Sequence, residues 1–107
     1  ALRVPTIDVS LSDFTMVLRK ATTPEEINSV FKAAAKTPRW KGVLGVTDEP
    51  LVSSDFIGSS YSSVVDLSMT RVVDGDLAKV LAWYDNEWGY SVHLMDMVQH
   101  VGKLLRK

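Results

Sequence analysis

A chain of 107 residues is long enough for one small domain, burying roughly 60–65% of the surface that its unfolded form exposes. Its 46% apolar and 23% charged residues are ordinary for a globular protein, and 12 basic against 13 acidic side chains provide no field to attract nucleic acid or an anionic membrane. Cysteine is missing from the composition, which excludes disulfides, thiolate metal sites and a thiol nucleophile among these residues.

No apolar run approaches membrane-spanning length and no charged-then-apolar leader opens the chain, so a cytoplasmic setting is the default expectation. The opening Ala1-Leu2-Arg3-Val4-Pro5 lacks an initiator Met and reads as the interior of a longer polypeptide.

In chain order, Ile7, Val9 and Leu11 alternate on one side, and Phe14, Met16 and Leu18 follow with the opposite parity. This predicts one long bent strand, or two short ones, over residues 6–19, with a β-bulge at Ser12-Asp13 absorbing the switch. Thr22-Thr23-Pro24-Glu25-Glu26 then starts a helix, with Thr23 as N-cap, Pro24 in first position and Glu26 completing a capping box. Ile27, Val30, Phe31 and Ala34 make its apolar stripe, and the helix ends near Lys36 because Thr37 precedes Pro38. Residues 40–48 read as a strand weakened by Gly42 and Gly45. Residues 51–60 are rich in hydroxyls but carry Leu51, Val52, Phe56 and Ile57, which predicts an irregular segment that packs. Residues 61–68 and 69–73 read as strands with a break or a continuation at Ser68, and Asp74-Gly75 is a hairpin signal joining them antiparallel to residues 77–84. That last run is apolar on both faces, as a buried central strand is. From Leu94, the residues Met97, Val98, Val101, Leu104 and Leu105 recur at helical spacing and predict a long amphipathic C-terminal helix. The sum is an α+β domain, a mostly antiparallel sheet of about five strands with helices on one face.

Between the last strand and the last helix stands Trp83-Tyr84-Asp85-Asn86-Glu87-Trp88-Gly89-Tyr90-Ser91. Strand-to-helix corners present polar side chains and free N–H groups to a cleft. Asp85 and Asn86 suit two roles: capping the helix, or, for the primary amide of Asn86, pairing with another amide through its donors and acceptor. Arg3, with no acidic neighbour in sequence, is either a paired structural residue or an anion ligand whose planar donors engage phosphate oxygens. His93 and His100 are seven apart, too far along a helix to share an ion, so no metal site is expected. No glycine-rich phosphate loop or dinucleotide fingerprint is present, and nothing places a serine beside a histidine.

The nine-residue run at the corner resembles the late signature of the phosphorylating glyceraldehyde-3-phosphate dehydrogenases. Arg3-Val4-Pro5-Thr6 with Val9-Ser10 and Asp13, then residues 41–47, 51–56 and 62–66, are similar to further segments in the family's order, so the resemblance spans essentially the whole chain. It implies that residues 1–107 are a carboxy-terminal segment of the catalytic domain, about the last third of a family chain, with the Rossmann domain absent. The family oxidises glyceraldehyde 3-phosphate with NAD or NADP and captures the acyl group as 1,3-bisphosphoglycerate. Its catalytic Cys and His and the dinucleotide-binding domain correspond to positions upstream, so no catalytic residue is expected here and the segment alone is expected to be inactive.

On the same resemblance, Asn86 binds the nicotinamide carboxamide and Arg3 binds a phosphate of the substrate or the attacking phosphate. The implied partners are the rest of the dehydrogenase chain, a small sugar phosphate and further copies in a tetramer, with no nucleic acid or membrane. His93-Leu94-Met95-Asp96, where a more basic segment is common, and Ile7-Asp8, where Pro-Asn is frequent, mark a divergent branch. Two other readings stand beside the main one. An erythrose-4-phosphate dehydrogenase uses the same chemistry, though Tyr84 and Tyr90 depart from its pattern. A non-catalytic assembly fragment built from the same sheet is the second.

Overall fold

The computed structural model describes residues 1–105, and at its centre Val65, Leu67, Val80 and Ala82 are buried together. In chain order the elements are β1 (Ser10–Val17), α1 (Pro24–Ala35), β2 (Leu44–Thr47), a 3-10 turn (Ser53–Phe56), β3 (Ser63–Val73), β4 (Leu77–Tyr84) and α2 (Trp88–Leu105). The strands form one sheet in the order β1-β4-β3-β2. β4 pairs antiparallel with β1 and with β3, whereas β2 joins β3 in parallel. The α+β class is the one expected. The sheet has four strands among the described residues rather than about five, because residues 63–73 form a single strand.

The expected bulge at Ser12-Asp13 does not form, and residues 6–9 stay outside the strand. β1 pairs with β4 in unbroken register from Ser10 opposite Tyr84 to Val17 opposite Leu77. Leu11 and Val17 therefore share one face while Phe14 and Met16 share the other, and all four are exposed. A parity switch demands a bulge only where one face is buried, and β1 is an edge strand with neither face covered. The irregularity lies instead in β3, where the register with β4 shifts between Asp66 and Arg71. There side chains occupy backbone groups. The Ser68 N–H and hydroxyl both donate to Asp66 Oδ1, at 3.1 and 2.6 Å, and Arg71 Nη1 donates to the carbonyls of Ser68 and Thr70. Local bonds of this kind compete with a ladder.

α1 forms as its sequence dictates. Thr23 Oγ1 accepts from the Glu26 N–H, Glu26 reaches back to the Thr23 N–H, Pro24 opens the first turn and Lys36 closes the last. Ile27 and Phe31 pack with Leu44 and Val46 against the central cluster, while Val30 of the same stripe points to solvent. β3 turns into β4 through the three residues Asp74, Gly75 and Asp76; Asp74 and Gly75 take positive φ and the Asp76 N–H donates to the Val73 carbonyl at 3.3 Å, closing a tight turn between the strands.

On the opposite face, Val64 and Trp83 pair across β3 and β4 and meet Phe56 and Val9. The Trp83 ring stacks on Phe56 with centroids 5.3 Å apart, and its indole N–H donates to the buried Asp66 carboxylate at 3.2 Å. This contact holds the 3-10 turn against the end of β4, where the corner begins.

Candidate functional site

β4 ends at Tyr84 and α2 begins at Trp88, leaving Asp85, Asn86 and Glu87 as the corner. Of the two residues considered for the helix cap, one takes that role. Asp85 is the cap: its Oδ1 accepts from the Glu87 N–H at 2.9 Å and the Trp88 N–H at 2.6 Å, two of the donors that a helix start leaves free. Its Oδ2 accepts from the Gly58 N–H at 2.8 Å, a bond that reaches 27 residues back in the chain. Asp85 is only 3% exposed. Burial alone would raise its pKa, but the N–H groups of Gly58, Trp88 and Glu87, with the Asp8 carboxyl beside them, outweigh it and hold the group below the usual carboxylate value.

Relieved of capping, Asn86 is exposed. Its Oδ1 accepts from the Ser10 hydroxyl at 3.3 Å across the first pair of β1 and β4, and its amide nitrogen makes no hydrogen bond among the described residues. One acceptor is engaged and both amide donors are free. That is the hydrogen-bonding complement of a ligand carbonyl.

Arg3 lies in the exposed segment of residues 1–7 leading to β1, where a Thr6 N–H to Val4 carbonyl bond of 2.8 Å makes a local turn. Its guanidinium makes no hydrogen bond or ion pair among the described residues. Because β1 begins opposite the end of β4, the segment carrying Arg3 enters at the end of the sheet that bears Asn86, but no contact joins the two. Val9, at the junction, has φ 77°, a left-handed conformation that strains a β-branched residue. It is held there by burial against Phe56 and Val64 and by a 2.7 Å bond from its N–H to Asp8 Oδ1.

Beside the corner lies a recess of about 370 Å³ lined by Asp8, Gly58, Asp85, Glu87, Trp88 and Ser91, together with Ile57. Its carboxylates are Asp8, Asp85 and Glu87, a lining that repels phosphate, and neither Arg3 nor Asn86 borders it. No group of metal-binding side chains occurs among the described residues. Sequence reasoning named the corner and Asn86, but not Ser10 or Gly58, whose parts in it depend on pairing and on a loop returning from far away.

A mixed sheet whose central strand runs directly into a helix, through a corner that displays two free amide donors, defines an α+β domain. Comparison with known proteins makes that class specific. A family model described as "Glyceraldehyde 3-phosphate dehydrogenase, C-terminal domain" matches residues 1–86. Glyceraldehyde-3-phosphate dehydrogenase of Zymomonas mobilis is 57% identical over 105 residues, covering 98% of this chain and 31% of that protein. Glyceraldehyde-3-phosphate dehydrogenase 3 of Saccharomyces cerevisiae is 50% identical over 103 residues, or 96% of this chain and 31% of the relative. The corresponding figures for glyceraldehyde-3-phosphate dehydrogenase 2 of Bacillus subtilis are 48% over 106 residues, 99% and 31%. The chain belongs to the glyceraldehyde 3-phosphate dehydrogenase family and corresponds to its C-terminal domain. It spans about a third of the length of the curated relatives it matches.

Proposed function

We propose that this chain serves as the C-terminal part of a phosphorylating dehydrogenase that oxidises glyceraldehyde 3-phosphate with NAD or NADP in the cytoplasm. Asn86 contributes the contact to the nicotinamide carboxamide and Arg3 a contact to a phosphate group. The observation that carries this reading is the Asn86 amide, exposed at the corner, with its oxygen on Ser10 and its donors free. That donor set fits a carboxamide oxygen. The dinucleotide, when bound, supplies the hydride acceptor; the part of this chain is to bind and orient. A held amide selects one rotation of the ring, and orientation of this kind is worth orders of magnitude in rate.

Arg3 suits phosphate because its fork of donors is uncommitted and always charged. The segment alone supplies no thiol to attack an aldehyde, so the 107 residues without the rest of a dehydrogenase chain are inactive. Assembly with that remainder, and with further copies, accounts for the apolar surface left open: Phe14 and Met16 on β1, and Leu94, Met97, Val98 and Val101 along α2.

The test is Asn86→Ala in the full-length dehydrogenase, with kcat, KM and the dissociation constant for the dinucleotide measured together. Loss of the contact is expected to weaken binding and turnover by about tenfold or more. Unchanged affinity and turnover would remove Asn86 from the site.

A further inference from the structure

We infer that Asp85 is the positioning residue of the nicotinamide contact: by joining the β4–α2 corner to the Gly58 loop, its carboxylate fixes where the Asn86 amide stands. The inference rests on the role proposed for Asn86. Its geometry is independent of that role. Asn86 has Asp85 before it and Glu87 after it, and both sides are tied by one carboxylate. Oδ1 holds the N–H groups of Glu87 and Trp88, while Oδ2 holds the N–H of Gly58. The anchor on the far side is firm, because the adjoining 3-10 turn is pinned by the stack of Phe56 on Trp83.

A second contact brings the first turn of α2 against the same loop. At Gly89 a β-carbon would stand 2.9 Å from the Tyr61 carbonyl oxygen and 3.4 Å from that of Ser59, so only glycine permits this approach. Against these stands the single 3.3 Å bond from Ser10, which sets the rotation of the Asn86 amide but not the place of its backbone. An exposed side chain on a free corner would sample many rotamers and forfeit affinity to their entropy.

A carboxylate is the one small group that can do this. Each of its oxygens accepts, and here both face N–H donors. An amide at position 85 would keep the shape but turn an NH2 toward either Gly58 or the helix start, losing one tie and opposing donor to donor. A serine would keep a capping oxygen and give up the loop.

The test is a double-mutant cycle in the full-length dehydrogenase. The dinucleotide dissociation constant is obtained by equilibrium titration, with kcat and Tm measured on the same samples. Asp85→Asn is expected to weaken dinucleotide binding by about fivefold to tenfold when Asn86 is present, and by less than about twofold when Asn86 is already Ala. Its fall in Tm should be the same in both backgrounds. Asp85→Ser, which retains a cap and so protects folding, should show the same dependence on Asn86. If the binding penalty of either variant is as large without Asn86 as with it, Asp85 acts only on stability and the inference is overturned. If Asn86→Ala alone leaves binding and turnover intact, the nicotinamide assignment fails first and the role of Asp85 falls with it.

Discussion

The two helices of this chain are both amphipathic, yet only one of them finds its partner within the described residues. α1 lays Ile27 and Phe31 on β2 and β3, and every feature of its ends is local: Thr23, Pro24 and Glu26 at one terminus and Lys36 before Pro38 at the other. α2 is half as long again and carries a longer apolar stripe, but Leu94, Met97, Val98, Val101 and Leu104 are between 44% and 59% exposed. It is attached at its first turn, through Asp85 and the close approach at Gly89. A hydrophobic stripe shows that a helix face is meant to be covered. It does not say by what.

The sharpest way to break this comparison is to truncate the anchor of α1. Phe31→Ala removes a half-buried ring from against the cluster of Val65, Leu67, Val80 and Ala82 and is expected to cost about 2 kcal/mol, less than for a fully buried Phe. Urea unfolding followed by circular dichroism measures it. A loss below about 0.5 kcal/mol, the scale of a surface change, would mean that α1 is no better seated than α2.

Acid acts on the other helix. The Asp85 carboxyl is held below its ordinary value of 3.8, so its bonds stabilise the folded state fully above that pH. The contribution is lost as pH falls through the lower, folded-state value, because the protonated group no longer accepts from Gly58, Glu87 and Trp88 as a carboxylate does. Stability measured from pH 5 to pH 2 should therefore fall more steeply in the parent than in Asp85→Asn. Parallel curves would show that these bonds contribute nothing net.

The smallest effect is the most discriminating. Val98→Lys places a charge in the exposed stripe of α2 and is expected to change the unfolding free energy of the 107-residue chain by less than about 0.5 kcal/mol. In the full-length dehydrogenase the same change should cost several times more, if the remainder of the chain or another copy covers that face. Equal small costs in both would leave the stripe without a partner.

What the sequence disclosed follows the same division. The limits of α1 and the Asp74-Gly75 turn were legible because capping boxes and hairpin turns are written in neighbouring residues. β4 was legible as a central strand because burial on both faces leaves a continuous apolar run. The errors arose where context decides. The parity switch of β1 calls for a bulge only if one face is buried, and Leu11, Phe14, Met16 and Val17 are all exposed. The real irregularity in β3 depends on Asp66 taking the Ser68 N–H and Arg71 taking the Ser68 and Thr70 carbonyls, which no spacing announces. The parallel pairing of β2 with β3 follows a connection from Asp48 to Ser62 that carries no helix longer than the 3-10 turn. At the corner, the amide of Asn86 was visible, and the division of labour that frees it was not. A bond from Asp85 to Gly58 crosses 27 residues and leaves no trace in either segment.

One consequence of the strand order concerns the outer side of β1. That strand is eight residues long, stands at the border of the sheet and contains no proline. Its outward N–H and C=O groups are a template on which another extended chain can pair. Asp13 is the one charged residue along it, and it is engaged with Lys79 at 2.8 Å on the inner neighbour. Nothing in the strand repels an approaching copy. An open border of this kind is where a second extended chain, another copy of β1 included, would add to the sheet and extend it beyond the four strands.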